Sequence, residues 1–105
     1  MADAESLMAA MQTKQGTLRR LGYRVRIDLT DTGESILLDA TGAAPEITAA
    51  DPAVEADTVL RLSAADMAKL IAGRLSPMLA FSTGRLRVEG SKGVALKLAG
   101  LLDGD

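Results

Sequence analysis

The side chains in this chain that could do chemistry are carboxylates, hydroxyls, amines and guanidinia, because it holds no histidine and no cysteine. That removes the commonest neutral-pH general base, the thiolate nucleophile and the usual zinc ligands. Ser63 stands three residues before Asp66, a spacing that suits a nucleophile near an acid, but no base accompanies them. The pair fits a helix start better. Ser63 is then the N-cap, Asp66 a short variant of the capping-box acid, and Leu62 and Met67 the apolar staple around them. The acids of "DLTDTGES" lack the alternating spacing of a calcium loop and fit a hairpin turn. "GRLRVEGSKG" has the glycines of a phosphate loop without its Gly-four-residue-Gly-Lys-Ser/Thr order. Paired carboxylates can do acid–base work, yet no convergent pair stands out. The residue types therefore point to a non-enzyme that needs neither cofactor nor metal.

The cations suggest anion contact at most. Lys14, Arg19, Arg20, Arg24 and Arg26 precede a stretch from position 28 to 57 that holds acids and no Lys or Arg. They could meet anionic headgroups or a phosphate, but a solvated strand face with cross-strand ion pairs is the favoured reading. Lys92 and Lys97 fall on the last helix. Lys92 is open to two readings, a cavity-mouth partner for carboxylate or phosphate and a lysine snorkelling over apolar neighbours. Lys97 is read as the second. A net charge of −2 and only two aromatics, Tyr23 and Phe81, argue against nucleic acid.

These groups must be positioned by what 105 residues can build, which is one domain spanning residues 1–105. The N-terminal "MADAESLMAAMQ" carries acids where a leader needs basic residues, and "LLDGD" matches no retention or peroxisomal address. No apolar run approaches the ~18 residues of a membrane span, so a cytoplasmic location is expected. Asp3 opens a helix with Leu7, Met8 and Met11 on one stripe, which Gly16 interrupts and Leu18 continues. "YRVRIDLT" alternates strictly, with Tyr23, Val25, Ile27 and Leu29 on one face. "SILLDAT" alternates likewise, placing Ile36, Leu38 and Ala40 inward. The two strands form a hairpin in which Arg24 or Arg26 faces Asp39. A short edge strand near positions 46–48 and the strand "TVLRLS" follow. The Ser63-capped helix stops at Gly73.

The stretch "GRLSPMLAFSTGRLRVEG" then parses as Ser76 cap, Pro77 at the first helical position, two turns, and a stop at Gly84. "RLRVE" is a strand with Leu86 and Val88 inward. The last helix, "KGVALKLAGLL", puts Val94, Leu98, Leu101 and Leu102 on one stripe and leaves Leu96 off it. The order predicts an α+β fold, a mostly antiparallel sheet with one polar face and helices on the other. Met78 and Phe81 are neighbours on their short helix while Leu79 points elsewhere. Helices that are apolar on more than one side need cover on more than one side. A bound acyl chain or a second subunit would supply it.

With the elements in place, the second half of the chain resembles the sterol carrier protein type 2 domain. The resemblance rests on an ordered set: Ala56-Asp57 before a strand, Ser63 to Gly73, Pro77, Ala80-Phe81, the Gly84-basic-Leu-x-Val-x-Gly90 run, then Gly93, Ala95 and Lys97-Leu98. It implies a five-stranded mostly antiparallel sheet covered by helices, with an apolar tunnel between them that carries a fatty acid, fatty acyl-CoA, phospholipid or sterol-like ligand without catalysis. Transient membrane contact and a monomer or weak homodimer go with that. The candidate ligand-binding residues are Met67, Leu70, Ile71, Leu75, Met78, Leu79, Phe81, Leu86, Val88, Lys92, Val94, Leu98, Leu101 and Leu102. The sequence departs from the family at Lys92, where Met is frequent, and at Thr83, where Gln is. Both positions lie near the ligand in the family. The alternative is a non-catalytic module that dimerises or docks on a partner enzyme through the same apolar helices.

Overall fold

The computed structural model describes residues 3–103. Met1, Ala2, Gly104 and Asp105, parts of the terminal stretches considered above, lie outside the described residues. The elements are α1 (Ala4–Gln12), α2 (Gln15–Leu18), β1 (Arg24–Leu29), β2 (Ser35–Asp39), β3 (Glu46–Ala50), β4 (Thr58–Leu62), α3 (Ala64–Ile71), α4 (Pro77–Ser82), β5 (Arg87–Gly90) and α5 (Lys92–Asp103).

Alternation decides the sheet. Val25, Ile27 and Leu29 of β1 are buried while Arg24, Arg26 and Asp28 face the other way. The register pairs Arg24 with Asp39 across the β1–β2 hairpin, and Arg24 Nε lies 3.6 Å from the Asp39 carboxylate. Arg26 instead forks onto Asp28 of its own strand at 3.0 and 3.1 Å and donates to the Val54 carbonyl at 2.9 Å. The strand order is β3-β2-β1-β4-β5. Every pairing is antiparallel except β1 with β4. That parallel pair is anchored where the long connection returns: Arg24 N donates to Asp57 Oδ2 at 2.8 Å and Asp57 N to the Arg24 carbonyl at 2.9 Å. The helices cover the sheet's apolar face, α1 over β2 and β3, and α5 over β4 and β5. The space beneath them is occupied by fully buried Met11, Leu18, Leu21, Met67 and Leu98.

Two local expectations are corrected. Tyr23 does not extend the inward face of β1. It precedes the strand and is exposed, with Lys97 Nζ 5.6 Å from its ring. Its hydroxyl keeps water on the surface, whereas the buried positions go to aliphatic side chains. Ser63 does cap α3, its Oγ accepting from Asp66 N at 3.1 Å. The Asp66 carboxylate, however, does not turn back to close a capping box. It receives Arg85 Nη2 at 2.7 Å and Nε at 3.3 Å, because a guanidinium offers two charged donors where the cap offers one neutral amide. Asp31 Oδ1 takes another free donor of the helix start, Ala64 N, at 3.0 Å.

Candidate functional site

Helix α4 is built from local signals. Ser76 Oγ accepts from Leu79 N at 3.5 Å, and Pro77 occupies the first helical position. The Ala80 carbonyl then receives both Arg85 N and Leu86 N, at 2.9 and 3.0 Å, which folds the chain back into β5. What is unusual is which residue faces inward. Ala80 is fully buried, while Met78, Leu79 and Phe81 are 68, 53 and 45 % exposed. The smallest apolar residue makes the packing contact and the three largest are turned outward.

Helix α5 carries two apolar faces. Val94, Leu98 and Leu102, spaced by four, are buried in the core. Lys92, Ala95, Leu96 and Ala99 occupy the adjacent face. Gly90 allows this helix to start where it does. Its φ is +87°, and an added Cβ would stand 2.8 Å from the Asp57 carbonyl oxygen. Ser91 follows, its Oγ accepting from Val94 N at 3.2 Å as an N-cap.

Between these elements lies a surface cavity of about 190 Å³. Pro77, Met78 and Phe81 of α4 form one wall, Leu86 and Val88 the floor along β5, and Lys92, Ala95, Leu96 and Ala99 of α5 the other wall. Lys92 is the one charged residue lining it, and its Nζ lies 5.8 Å from the Phe81 ring centroid, across the mouth. A second, more open groove of about 400 Å³ adjoins it and shares Phe81, Leu86, Val88 and Lys92. Arg61, Arg87 and Glu89 make that groove polar. Although the groove is the larger, the smaller cavity is the candidate site, because its walls suit hydrocarbon.

Of the residues singled out from sequence, Met78, Phe81, Leu86, Val88 and Lys92 line this cavity. Met67, Leu70, Ile71, Leu75, Val94, Leu98 and Leu102 are buried in the core, and Leu101 is packed against it. Leu79 is exposed on α4 and lines neither recess. Thr83 caps α4, its Oγ1 donating to the Leu79 carbonyl at 2.7 Å. Pro77, Ala95, Leu96 and Ala99 complete the cavity. Leu96 carried a signal as the leucine off the main stripe. Ala99 carried none and Ala95 only its place in the ordered motif set, since a small residue makes room without marking it. Three members of the basic cluster are engaged within the fold: Arg24 and Arg26 hold the acids of the sheet, and Lys14 Nζ donates to the Leu102 carbonyl at 3.0 Å.

The electrostatics of the neighbouring sheet face are structural. Burial pushes the Asp28 carboxyl up, but hydrogen bonds from Arg26 and Ser35, the Arg26 charge and Arg61 outweigh it and hold the group below its ordinary value. Arg61 also reaches Glu89 at 2.9 Å, so the acid in the polar groove is paired.

Comparison with known proteins agrees with this architecture. The chain is 32 % identical over 93 residues to hydroxysteroid dehydrogenase-like protein 2 of Xenopus tropicalis, covering 89 % of this chain and 21 % of that protein. The chain thus spans about a fifth of that relative's length. Its fold superposes on sterol carrier protein 2 from Yarrowia lipolytica with a TM-score of 0.68 at 20 % identity, covering 94 % of this chain and 85 % of the other. It also superposes on a part of the inverting sec-alkylsulfatase from a Pseudomonas species, TM-score 0.73 at 18 % identity, covering 88 % of this chain and 15 % of the enzyme. Among the described residues no helix is long and apolar enough to cross a membrane. The profile of the SCP-2 sterol transfer family matches residues 4–103, and this chain belongs to that family.

Proposed function

We propose that the chain holds the hydrocarbon part of a lipid in the cavity between α4, β5 and α5 and carries it without altering it chemically. The ligand class is a fatty acid, fatty acyl-CoA, phospholipid or sterol-like molecule, exchanged through transient membrane contact. The carrying form is a monomer or weak homodimer. The observation that supports this most is a recess walled by apolar side chains, with Met78, Phe81 and Leu96 left more than two-fifths exposed around it.

The energetics favour a guest. Each methylene moved from water into such a recess gains about 0.8 kcal/mol. The volume of about 190 Å³ takes roughly six groups of the ~30 Å³ that one water occupies. A longer chain fits if the unbranched Met78 and the exposed Phe81 and Leu96 side chains rotate outward, a change that costs little at exposed positions.

Native mass spectrometry of the purified chain, with titration of a fluorescent fatty acid, tests the reading. A co-purifying lipid, or saturable uptake at one site, supports it. Neither lipid nor uptake overturns it. A Trp at Ala99 fills the recess from α5, so Ala99→Trp should abolish uptake while the fold persists.

One observation favours a second reading, an accessory module beside an enzyme. The relatives that the chain matches are larger proteins named as dehydrogenase-like, of which it spans about a fifth or less. The domain would then dock on its neighbour through the apolar helices without itself carrying a lipid. Enzyme activity that depends on the domain while lipid uptake is absent would favour docking over carriage.

A further inference from the structure

We infer that the outward face of α4 and the adjoining turn of α5 form a docking surface for an anionic lipid bilayer, which opens the cavity directly onto the membrane. This rests on the reading that the cavity takes a lipid chain, and it adds where the chain enters and what charge the membrane carries.

Three observations converge on the face. The first is the inverted burial of α4, in which Ala80 packs inward and Met78, Leu79 and Phe81 project. Leu96 of α5 is 54 % exposed beside them. The described chain has five large apolar residues this exposed, and four of them are on these two helices; Tyr23 is the fifth. Leu79 matters most, because it lines no recess. Its exposure serves neither the core nor the cavity.

The second is charge. The chain is acidic overall, at −2, yet residues 73–102 hold Arg74, Arg85, Arg87, Lys92 and Lys97 against one acid, Glu89. Glu89 is spent on Arg61 and Arg85 on Asp66. Arg74, Arg87, Lys92 and Lys97 form no ion pair among the described residues. Lys92 and Arg87 share the polar groove with Phe81, so free cations border the apolar projection. Apolar side chains that enter the acyl boundary, ringed by cations at headgroup depth, are what an anionic surface retains. A second copy of the chain fits worse, since a two-fold contact would set these like charges against each other.

The third is continuity. Met78, Phe81 and Leu96 both project and line the cavity. A bilayer that accepts them meets the mouth of the recess, and a chain passes from one apolar phase to the other without crossing water.

The test is sedimentation of the whole chain with vesicles of phosphatidylglycerol and phosphatidylcholine, against vesicles of phosphatidylcholine alone, at low and high salt. The chain should bind the anionic vesicles and release with salt. Leu79→Asp and Arg87→Glu should each weaken binding by roughly tenfold. Uptake of a fluorescent fatty acid without vesicles should be unchanged in Leu79→Asp, whose folding is checked by circular dichroism. Arg87→Glu, at an exposed strand position, covers the case in which Leu79→Asp misfolds. Equal binding to both vesicle types, no binding to either, or full binding by both variants overturns the inference. So does a stable dimer, seen by ultracentrifugation, that Leu79→Asp dissociates while the wild type ignores vesicles. A wild type that takes up fatty acid but ignores vesicles sinks the docking surface alone. One that binds anionic vesicles but takes up nothing sinks the carrier reading alone.

Discussion

Arg85 donates two hydrogen bonds to the carboxylate of Asp66, the shorter at 2.7 Å, and so ties the segment leaving α4 to the first turn of α3. Asp66 is nearly buried and Arg85 is 42 % exposed at its side chain, so solvent screens part of the attraction. The pair acts on the cavity indirectly, because the same Arg85 backbone closes α4 onto the Ala80 carbonyl.

Asp66→Ala is therefore expected to cost about 1 kcal/mol, or roughly 4–8 °C in Tm. A double-mutant cycle with Arg85→Gln should recover most of that as coupling. Purely additive losses would show that the two side chains do not act as a pair. Uptake of a fluorescent fatty acid should weaken in both variants more than in Arg74→Gln, whose side chain makes no ion pair among the described residues.

Gly90→Ala should be more damaging than Gly84→Ala. Both glycines have positive φ, but a Cβ at position 90 would meet the Asp57 carbonyl oxygen at 2.8 Å and one at position 84 would meet nothing within 4 Å. Gly84→Ala carries only the left-handed backbone penalty of about 1 kcal/mol. Gly90→Ala adds a backbone collision and should lose about 2–3 kcal/mol in urea titration. Equal losses at the two sites would show that the β5–α5 turn relaxes freely.

Phe81→Asp and Leu98→Asp separate ligand from fold. Phe81 is nearly half exposed and lines the cavity, whereas Leu98 is fully buried in the core. Phe81→Asp should leave the melting curve almost unchanged and lower fatty-acid affinity roughly ten- to hundredfold. Leu98→Asp places an unpaired charge in the core and should leave little folded protein, a loss of about 4 kcal/mol or more. Undiminished affinity in Phe81→Asp would move the ligand elsewhere.

Asp28 should contribute to acid sensitivity. Its folded-state value is lowered, so its stabilisation is present above the unfolded carboxyl value and is lost as the pH falls through the folded one. Urea titrations should show stability declining as the pH falls below the ordinary carboxyl value of about 4, with a shallower decline in Asp28→Asn. Asp39, held down by the Thr41 hydroxyl and amide and by Arg24, retains its own part of the slope. At neutral pH Asp28→Asn should cost about 2 kcal/mol, since Arg26 is only 11 % exposed at its side chain and would keep its charge without its main partner.

Much of the fold was legible because its signals are local. Alternation in "YRVRIDLT" and "SILLDAT" made the hairpin, and Ser63, Ser76 with Pro77, and Gly84 marked the starts and stops of α3 and α4 where they occur. A cap or a period needs only neighbours along the chain. The order of motifs was enough to name the family, and the apolar surplus on α4 and α5 was visible as a count of faces.

What needed three dimensions was each choice between partners distant in sequence. Nothing near Asp66 announces Arg85, nineteen residues on. Nothing in β1 or β4 announces that they run parallel. The same limit governs the site. Met67 and Leu98 read as plausible walls but are fully buried core, while Ala95 and Ala99 line the recess. Periodicity states that a side chain lies on an apolar face; it does not state whether protein or empty space stands opposite. That depends on how α4, β5 and α5 are set against one another, and the recess between them is decided only by the tertiary structure.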